Sequence, residues 1–215
     1  MYVPVANRVD DPEEAWAFVK AHPCAVLCVN GPDGPVVAHV PLVVRPGQET
    51  GTQELIGHIA RANPFHEAIP PVGGPCVAVF RGPDAYVSPS LYPSKQLHGK
   101  VVPTWAYLAA EARGHIVVET DPTAMREFLE PATHEMEATA PKPWKVDDAP
   151  SDYISSLERG IVGLKIRVSA LVAKRKINQG KPQADYHSVQ AAFAASAHTS
   201  HQLLSLEMQK ESQKT

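Results

Sequence analysis

The chain has 215 residues, 44% of them hydrophobic, and its 20 Lys and Arg against 23 Asp and Glu give a formal net charge of −3. This length is enough to bury one sizeable core, and the charge balance leaves a nucleic-acid-binding surface possible only as a local patch. No stretch reaches the ~20 apolar residues of a membrane helix, and no apolar run follows a basic region at the N-terminus, so we expect neither a membrane span nor a signal peptide.

The first half of the chain has the pattern of one helix followed by short strands. Residues 10–21 predict the helix, because an acidic residue can cap it, Pro12 fits its first turn and Pro23 ends it. A GPDG turn at 31–34 separates two apolar runs and predicts a hairpin. The predicted strand segments are residues 24–30, 36–44, 54–65 and 75–80.

The second half contains longer elements. Residues 106–119 predict a strand pair or one strand bent at Gly114, and residues 121–138 a helical region interrupted at Pro131. A short helix over 150–159, a strand over 161–173 and one amphipathic C-terminal helix over about 183–210 follow. Hairpin-linked strands with helices at the margins predict a mainly β (α+β) fold. We expect an antiparallel barrel in a single domain over 1–215, with helical decorations at about 121–159.

The segment Arg81–Tyr107 predicts a long functional loop between two strands. It is rich in proline and aromatic residues, which argues against disorder. Its polar side chains suit a phosphate or another anion; they are Ser88, Ser90, Lys95, Lys100 and Thr104. Its aromatic side chains suit a flat ring system; they are Tyr86, Tyr92, Trp105 and Tyr107. The alternative interpretation is a proline-stiffened loop whose aromatics plug a barrel end.

A second polar group follows Gly57, whose place in a strand pattern indicates close approach of a ligand or of another backbone. His58, Arg61 and Asn63 could form an anion or cofactor edge at the strand end. They could equally form a structural network in which Asn63 starts a short helix before Pro64.

Common catalytic and nucleotide-binding motifs are absent. The sequence has no Rossmann glycine pattern, no P-loop, no nucleophile elbow and no zinc pattern, so a phosphate must be held by side chains. The three cysteines, Cys24, Cys28 and Cys76, predict core thiols, and their odd number argues against disulfides and for a reducing cytoplasm. His198 and His201 predict a solvated helix surface rather than a metal site.

Several motifs in their order along the chain resemble the PaiB family. They are MYVP at the N-terminus, GHIARANP at 57–64, GPDAYVSPS at 82–90, YPSK at 92–95, VPTWAY at 102–107, PWKVDDAPSDYI at 143–154, GIVGLKI at 160–166 and KINQG at 176–180. That family is described as FMN-binding negative transcriptional regulators with a split β-barrel fold and a homodimeric assembly. The resemblance implies a flavoprotein homodimer acting as a transcriptional regulator or sensor, with flavin-dependent redox activity as a variant, and the cysteines place it in the cytoplasm.

The resemblance also implies which residues hold the cofactor. The implied contacts are His58, Arg61, Asn63, Ser88, Ser90, Tyr92, Lys95, Thr104 and Trp105, with Lys176 and Gln179 in a loop that closes the site from the other subunit. Arg61 and Lys95 are the favoured phosphate partners because charge-assisted hydrogen bonds are strong, and Trp105 and Tyr92 the favoured stacking rings. The family usually has Trp at Leu91, Asn at Ala106 and KLSQN at 176–180.

A second branch of this resemblance implies a different cofactor. Haem b-dependent piperazate synthases, which form a nitrogen–nitrogen bond, share the G-H-x-x-R-A-N-P run. His58 would be the iron ligand there, since imidazole is a common axial ligand of haem. FMN is therefore the expected cofactor and haem b the alternative, and no residue stands out as an obligatory acid or base.

Overall fold

The computed structural model describes residues 1–212, which form eight strands and six α-helices joined by short 3₁₀ turns. The strands are β1 Arg8–Val9, β2 Cys24–Gly31, β3 Gly34–Pro41, β4 Val43–Pro46, β5 Gln53–Ala60, β6 Gly74–Val87, β7 Thr104–Glu119 and β8 Ile161–Lys176. The helices are α1 Pro12–Ala21, α2 Ser94–His98, α3 Arg126–Glu137, α4 Ser151–Glu158, α5 Gln183–Ala194 and α6 Thr199–Ser212.

The strands form one sheet in the order β3-β2-β6-β7-β8-β5-β4, with β1 paired to β8. The predicted hairpin is confirmed, because Cys24 pairs with Pro41 and the antiparallel ladder continues to Gly31 and Gly34 at the turn. β5 pairs antiparallel with both β4 and β8. The predicted mainly antiparallel α+β class is therefore confirmed.

The chain divides into two compact units. The terminal unit comprises residues 1–15, 81–110 and 172–212, and the hairpin unit comprises residues 16–80 and 111–171. The boundary falls within β6, β7 and β8. A single domain over the whole chain stays a prediction.

Each unit has its own buried apolar residues. In the hairpin unit, Val43 of β4 and Ile56 of β5 form a buried cluster with Met125 and Phe128 of the α3 region. In the terminal unit, the inward residues of β6 and β7 alternate with exposed ones, as a half-buried sheet requires. Its buried residues include Ala85, Val87, Ala106, Leu108, Ile177, Val189, Phe193, Leu204 and Met208.

Helix α3 is not interrupted at Pro131, contrary to the prediction. Proline cannot donate to the carbonyl four residues earlier, which is that of Glu127. The guanidinium of Arg45 donates to this carbonyl at 3.3 Å, so the helix continues without an orphaned acceptor. The predicted helices at 10–21 and 150–159 are confirmed.

The predicted single C-terminal helix is two helices, α5 and α6. Ser196 stops the first one, because its hydroxyl accepts from the backbone N–H of His198 at 3.2 Å and its carbonyl accepts from the Gln202 amide at 2.9 Å. Serine competes in this way with helical hydrogen bonding. Arg175 of β8 then ties α6 to the unit through an ion pair with Glu211 at 2.8 Å.

The cysteines are free, as predicted, but they do not share one environment. Cys76 is buried, and burial raises the pKa of its thiol to about 11, although a hydrogen bond with the Gly114 backbone opposes the rise. Cys24 is exposed rather than in the core, because it lies on the outward side of β2. None of the helices within residues 1–212 combines the length and apolar character needed to cross a bilayer.

Candidate functional site

The segment Arg81–Tyr107 is mostly ordered structure rather than one long loop. β6 continues to Val87 and β7 begins at Thr104, so only residues 88–103 connect the two strands. The ladder between β6 and β2 covers Cys76 to Val79 and ends before Pro83, so the proline interrupts no hydrogen bond to β2. The prediction of a loop over the whole segment is therefore wrong, and the connection holds a 3₁₀ turn and α2.

The start of this connection contains Ser88, Ser90 and Tyr92. The Ser88 hydroxyl lies 2.7 Å from the Ser90 hydroxyl and accepts from the Ser90 backbone N–H at 3.2 Å, which caps the 3₁₀ turn. Tyr92 is buried, whereas Lys95 on α2 is exposed. Tyr92 therefore presents no open ring surface of the kind predicted for stacking.

A buried carboxylate fixes the start of α2. Asp185 accepts from the Ser94 backbone N–H at 3.0 Å and from the Ser94 hydroxyl at 2.6 Å. Burial acts to raise the pKa of Asp185, but the Ser94 hydrogen bonds, with the positive charges of Lys181 and His98, outweigh it and hold the pKa below its ordinary value. Asp185 is therefore an anion in the folded protein at neutral pH.

Two lysines of β8 lie over one ring of β7. Lys176 Nζ donates to the Thr104 hydroxyl at 2.8 Å and lies 6.0 Å from the centroid of the Tyr107 ring. Lys174 Nζ lies 5.1 Å from the same centroid and donates to the Tyr2 carbonyl at 3.3 Å. These hydrogen bonds go to neutral oxygen atoms, so they leave two positive charges close together.

Two exposed aromatic rings lie on the outward sides of β6 and β7. Tyr86 is 50% exposed and Trp105 is 47% exposed, and their ring centroids are 6.2 Å apart. The Trp105 indole N–H donates to the carboxylate of Asp84 at 3.1 Å, which orients the ring. Asp84 is itself held by its backbone, which exchanges two hydrogen bonds with the Ser200 hydroxyl of α6.

The loop after β8 has an unusual backbone. Asn178 has a φ of +69°, in the left-handed region that non-glycine residues rarely adopt. Gln179 holds the loop in place, since its side chain accepts from the Ile177 N–H at 2.8 Å and donates to the Arg175 carbonyl. Within the described residues, the Asn178 Nδ2 and the Tyr92 hydroxyl are buried without a hydrogen-bond partner.

The hairpin unit holds the other three predicted contacts. Gly57 lies in β5 where a side chain would meet the Pro41 carbonyl at 2.5 Å, so its close neighbour is another backbone. His58 follows it and is half-buried, and burial lowers its pKa below 6.5, so its imidazole is neutral at neutral pH.

Arg61 and Asn63 make structural contacts in the same unit. The Arg61 guanidinium donates to the carbonyls of Arg159, Thr120 and Ile161 at 2.9, 2.8 and 2.9 Å. The Asn63 side chain accepts from the Phe65 N–H at 3.0 Å and caps the following 3₁₀ turn. Their role in binding a cofactor stays a prediction.

The structure thus divides the predicted contacts between the two units. Ser88, Ser90, Tyr92, Lys95, Thr104, Trp105, Lys176 and Gln179 lie in the terminal unit, and His58, Arg61 and Asn63 lie in the hairpin unit. Sequence reasoning did not identify Lys174, Asn178 and Asp185 as site residues, because their importance arises from contacts across the fold. The one local clue is the asparagine at position 178, because asparagine tolerates a positive φ better than most residues. In the described chain, no three His, Cys, Asp or Glu are placed to hold a metal ion.

The donor set of the terminal unit fits FMN. Two ammonium groups and a hydroxyl suit a phosphate, and exposed rings suit a flat ring system. The chain matches the family model described as "Putative FMN-binding domain" over residues 1–170. It therefore belongs to this FMN-binding family, which confirms FMN as the cofactor expected for its class.

Individual relatives agree with this assignment. Protease synthase and sporulation protein PAI 2 of Bacillus subtilis is 30% identical over 193 residues, which cover 88% of this chain and 87% of the relative. Uncharacterized protein AN0679 of Emericella nidulans is 30% identical over 209 residues, covering 82% and 83%. The resemblance to the PaiB family is confirmed.

A solved structure supports the fold. The FAD and heme binding protein from Mycobacterium smegmatis superposes with a TM-score of 0.57 at 16% identity, covering 86% of this chain and 80% of that one. At this identity the similarity shows the fold alone, and it confirms the predicted split-barrel class.

Proposed function

We propose that this chain binds FMN through its terminal unit, as a cytoplasmic homodimer that acts as a flavin-dependent sensor or regulator. The observation that carries the proposal is the pair of lysines over Tyr107, with Lys176 bonded to Thr104. Bound FMN would supply redox chemistry that amino-acid side chains lack, while the protein would bind and orient it.

The phosphate is assigned to the lysine pair because two positive charges match its double negative charge. Lys174 is almost fully buried, so the solvent screens its charge less than that of an exposed lysine such as Lys95. The Thr104 hydroxyl orients Lys176 and can itself contact an anion. Charge-assisted hydrogen bonds of this kind are the strongest available to a phosphate.

The exposed aromatic pair, Tyr86 and Trp105, supports the proposed flavin-ring site and the proposed homodimer. Tyr86 and Trp105 leave about half of their surface to solvent and lie beside each other, so together they offer an apolar surface that a ligand or a partner can cover. We propose that the flavin ring and a second copy of the chain cover them, with the loop Lys176–Gly180 closing the site. Sedimentation equilibrium tests the assembly, and a monomer at micromolar concentration overturns the dimer.

The cofactor is tested by titrating the purified protein with FMN and with riboflavin, which has the same ring but no phosphate. Lys176→Ala should weaken FMN about tenfold, because it removes one charge-assisted contact, and leave riboflavin unchanged. Lys20→Ala, at an exposed lysine of α1, is the matched control. A larger loss of FMN affinity in Lys95→Ala than in Lys176→Ala would move the phosphate to α2.

The regulatory role is proposed to act through the ligand state rather than through a basic DNA-binding face. The sequence KRK at 174–176 does not form one patch, since Arg175 pairs with glutamates whereas Lys174 and Lys176 lie over Tyr107. A mobility shift at low salt tests this, because non-specific binding to DNA is strongest there. A shift with FMN-loaded protein would show direct DNA contact.

Haem b is the second candidate, and the neutral, half-buried imidazole of His58 favours it. A sharp Soret band after addition of haemin, lost in His58→Ala, would assign the iron to His58. If His58→Ala keeps full haem occupancy, His58 is not the ligand.

A further inference from the structure

A cleft in the hairpin unit lies between helix α3 and the segment that follows it. One wall is a face of α3 with Glu130, His134 and Glu137 at helical spacing, and the other wall is residues 143–147. The volume of this α3 cleft is about 490 Å³, which is in the usual range of small-molecule sites. Among the described residues that line it, none is a predicted FMN contact.

Two connections hold the walls of the α3 cleft together. The Trp144 backbone N–H donates to the Glu137 carboxylate at 3.0 Å. Arg126 of α3 donates to Asp147 in the opposite wall at 2.7 Å and to Glu130 on its own helix at 3.5 Å. The chain's own contacts therefore fix both walls, and a site that is already formed costs less ordering when a ligand binds.

The α3 cleft offers an exposed aromatic surface. Trp144 lines it and is 43% exposed, and Ala138, Pro143 and Val146 add further apolar lining. A tryptophan ring gains free energy by covering apolar groups, and its face attracts a cation better than the other aromatic rings do. The cleft therefore suits an apolar molecule or an organic cation.

The charges of the lining favour the cation. Among the described residues that line the α3 cleft, Glu130, Glu137 and Asp147 carry carboxylates and Lys145 carries an ammonium group. Glu130 and Asp147 share the one positive charge of Arg126. The bond from the Trp144 backbone to Glu137 adds no positive charge. A cleft lined by an excess of negative charge concentrates cations from solution.

The cation that fits is organic rather than a metal ion. In the part of the chain that the structure describes, no three His, Cys, Asp or Glu are placed to hold a metal. An ammonium group donates charge-assisted hydrogen bonds to carboxylates, and an attached apolar body can cover the tryptophan ring.

We propose that the α3 cleft binds a small organic ammonium ion, with its apolar body against Trp144 and its ammonium group at Glu137. This inference goes beyond the proposed function and does not depend on flavin binding. It gives the hairpin unit a ligand site of its own.

The first test is an NMR titration of the full chain at neutral pH, read from the backbone N–H signals of Trp144 and Glu137. The probes are 2-phenylethylammonium and 2-phenylethanol, which has a hydroxyl in place of the ammonium group. The ammonium ion should bind with a dissociation constant of about 1 mM or lower, and the alcohol about tenfold more weakly. Equal affinities, or no binding of the ammonium ion at roughly 10 mM, overturn the proposal.

The second test removes the charge of Glu137. Glu137→Gln keeps an oxygen that can accept from the Trp144 N–H, so it should weaken 2-phenylethylammonium about tenfold and leave 2-phenylethanol unchanged. Glu135→Gln, at an exposed glutamate of the same helix, is the matched control and should keep both affinities. If the two variants lose the same affinity, only the overall negative charge attracts the ammonium ion, and the site is overturned.

The third test removes the aromatic ring. Trp144→Ala should weaken both probes about tenfold, because both lose the same apolar contact. Tyr153→Ala, at an exposed tyrosine of α4, is the control and should leave both affinities unchanged. Wild-type affinity in Trp144→Ala overturns the proposal. A wild-type chain that binds 2-phenylethylammonium but not FMN supports the α3 cleft and overturns only the proposed function.

Discussion

At the ends of β5 and β8 a cationic residue stands two positions before an asparagine, but the contacts of the two pairs differ. The segment after β5 contains Arg61 and Asn63, and the segment at the end of β8 contains Lys176 and Asn178. In the hairpin unit, Arg61 donates to three backbone carbonyls and Asn63 caps a turn. In the terminal unit, Lys176 bonds to one hydroxyl and the Asn178 amide has no partner among the described residues.

This difference separates polar residues that build the fold from those that can serve a ligand. A guanidinium that donates to three backbone carbonyls stabilises the protein, and using it for a phosphate would take its hydrogen bonds away from those carbonyls. A buried amide without a partner does the opposite, since it destabilises the protein. Removing each kind of residue should therefore change stability and affinity in different proportions.

The largest effect is expected for Arg61→Ala. Losing hydrogen bonds to three carbonyls should lower the free energy of unfolding by about 2–4 kcal/mol, which is a fall in Tm of roughly 5–15 °C for a chain of this size. FMN affinity, measured by titration well below the Tm, should stay within twofold of the wild type. Arg159→Ala is the control, because the side chain is exposed and only its backbone carbonyl accepts from Arg61.

An opposite result would reverse the assignment of this residue. If Arg61→Ala keeps the wild-type Tm and weakens FMN tenfold or more, Arg61 is a phosphate ligand as the sequence predicted. The contrast between the two segments would then be lost.

A smaller effect is expected at Asn63. Asn63→Ala removes the cap of the 3₁₀ turn, which should cost about 1 kcal/mol and lower the Tm by roughly 2–4 °C. Asn63→Asp keeps an accepting oxygen for the Phe65 N–H and should stay near the wild-type Tm. Differential scanning calorimetry measures both, and weaker FMN binding by Asn63→Ala at an unchanged Tm would place Asn63 in the cofactor site.

Local sequence patterns predicted most of the elements of this fold. The β2–β3 hairpin follows from its apolar runs and glycine turn, and α1 from Pro12 and its acidic start. Local sequence patterns failed to predict the structure at positions that a residue far away in the sequence contacts. One such position is Pro131, which lies within a helix where Arg45, 86 positions earlier in the sequence, donates to the carbonyl that the proline leaves without a backbone donor.

The candidate site was only partly predictable, because contacts between residues far apart in the sequence also determine its arrangement. Thr104 and Lys176 were both identified from the sequence, and the structure joins them by a hydrogen bond. Tyr92 and Asn178 are buried and each has a polar group without a partner among the described residues, which no residue pattern records. Arg61 illustrates the converse, because its charge suggests an anion while its three acceptors are backbone carbonyls of residues about 60 and 100 positions away.

The smallest effect is expected for the pH dependence of stability at His58. Burial holds the pKa of the folded state below the ordinary 6.5, so the unfolded chain binds more protons in this range and stability is lost as the pH falls below about 6.5. His58→Gln should therefore reduce the fall in Tm between pH 7 and pH 5 by about 1–2 °C. His39→Gln, at an exposed histidine of the same unit, should keep the wild-type profile. If the His58→Gln and wild-type profiles are parallel, burial does not keep His58 neutral, and the hairpin segment loses the one property that suits it to a metal-bearing cofactor.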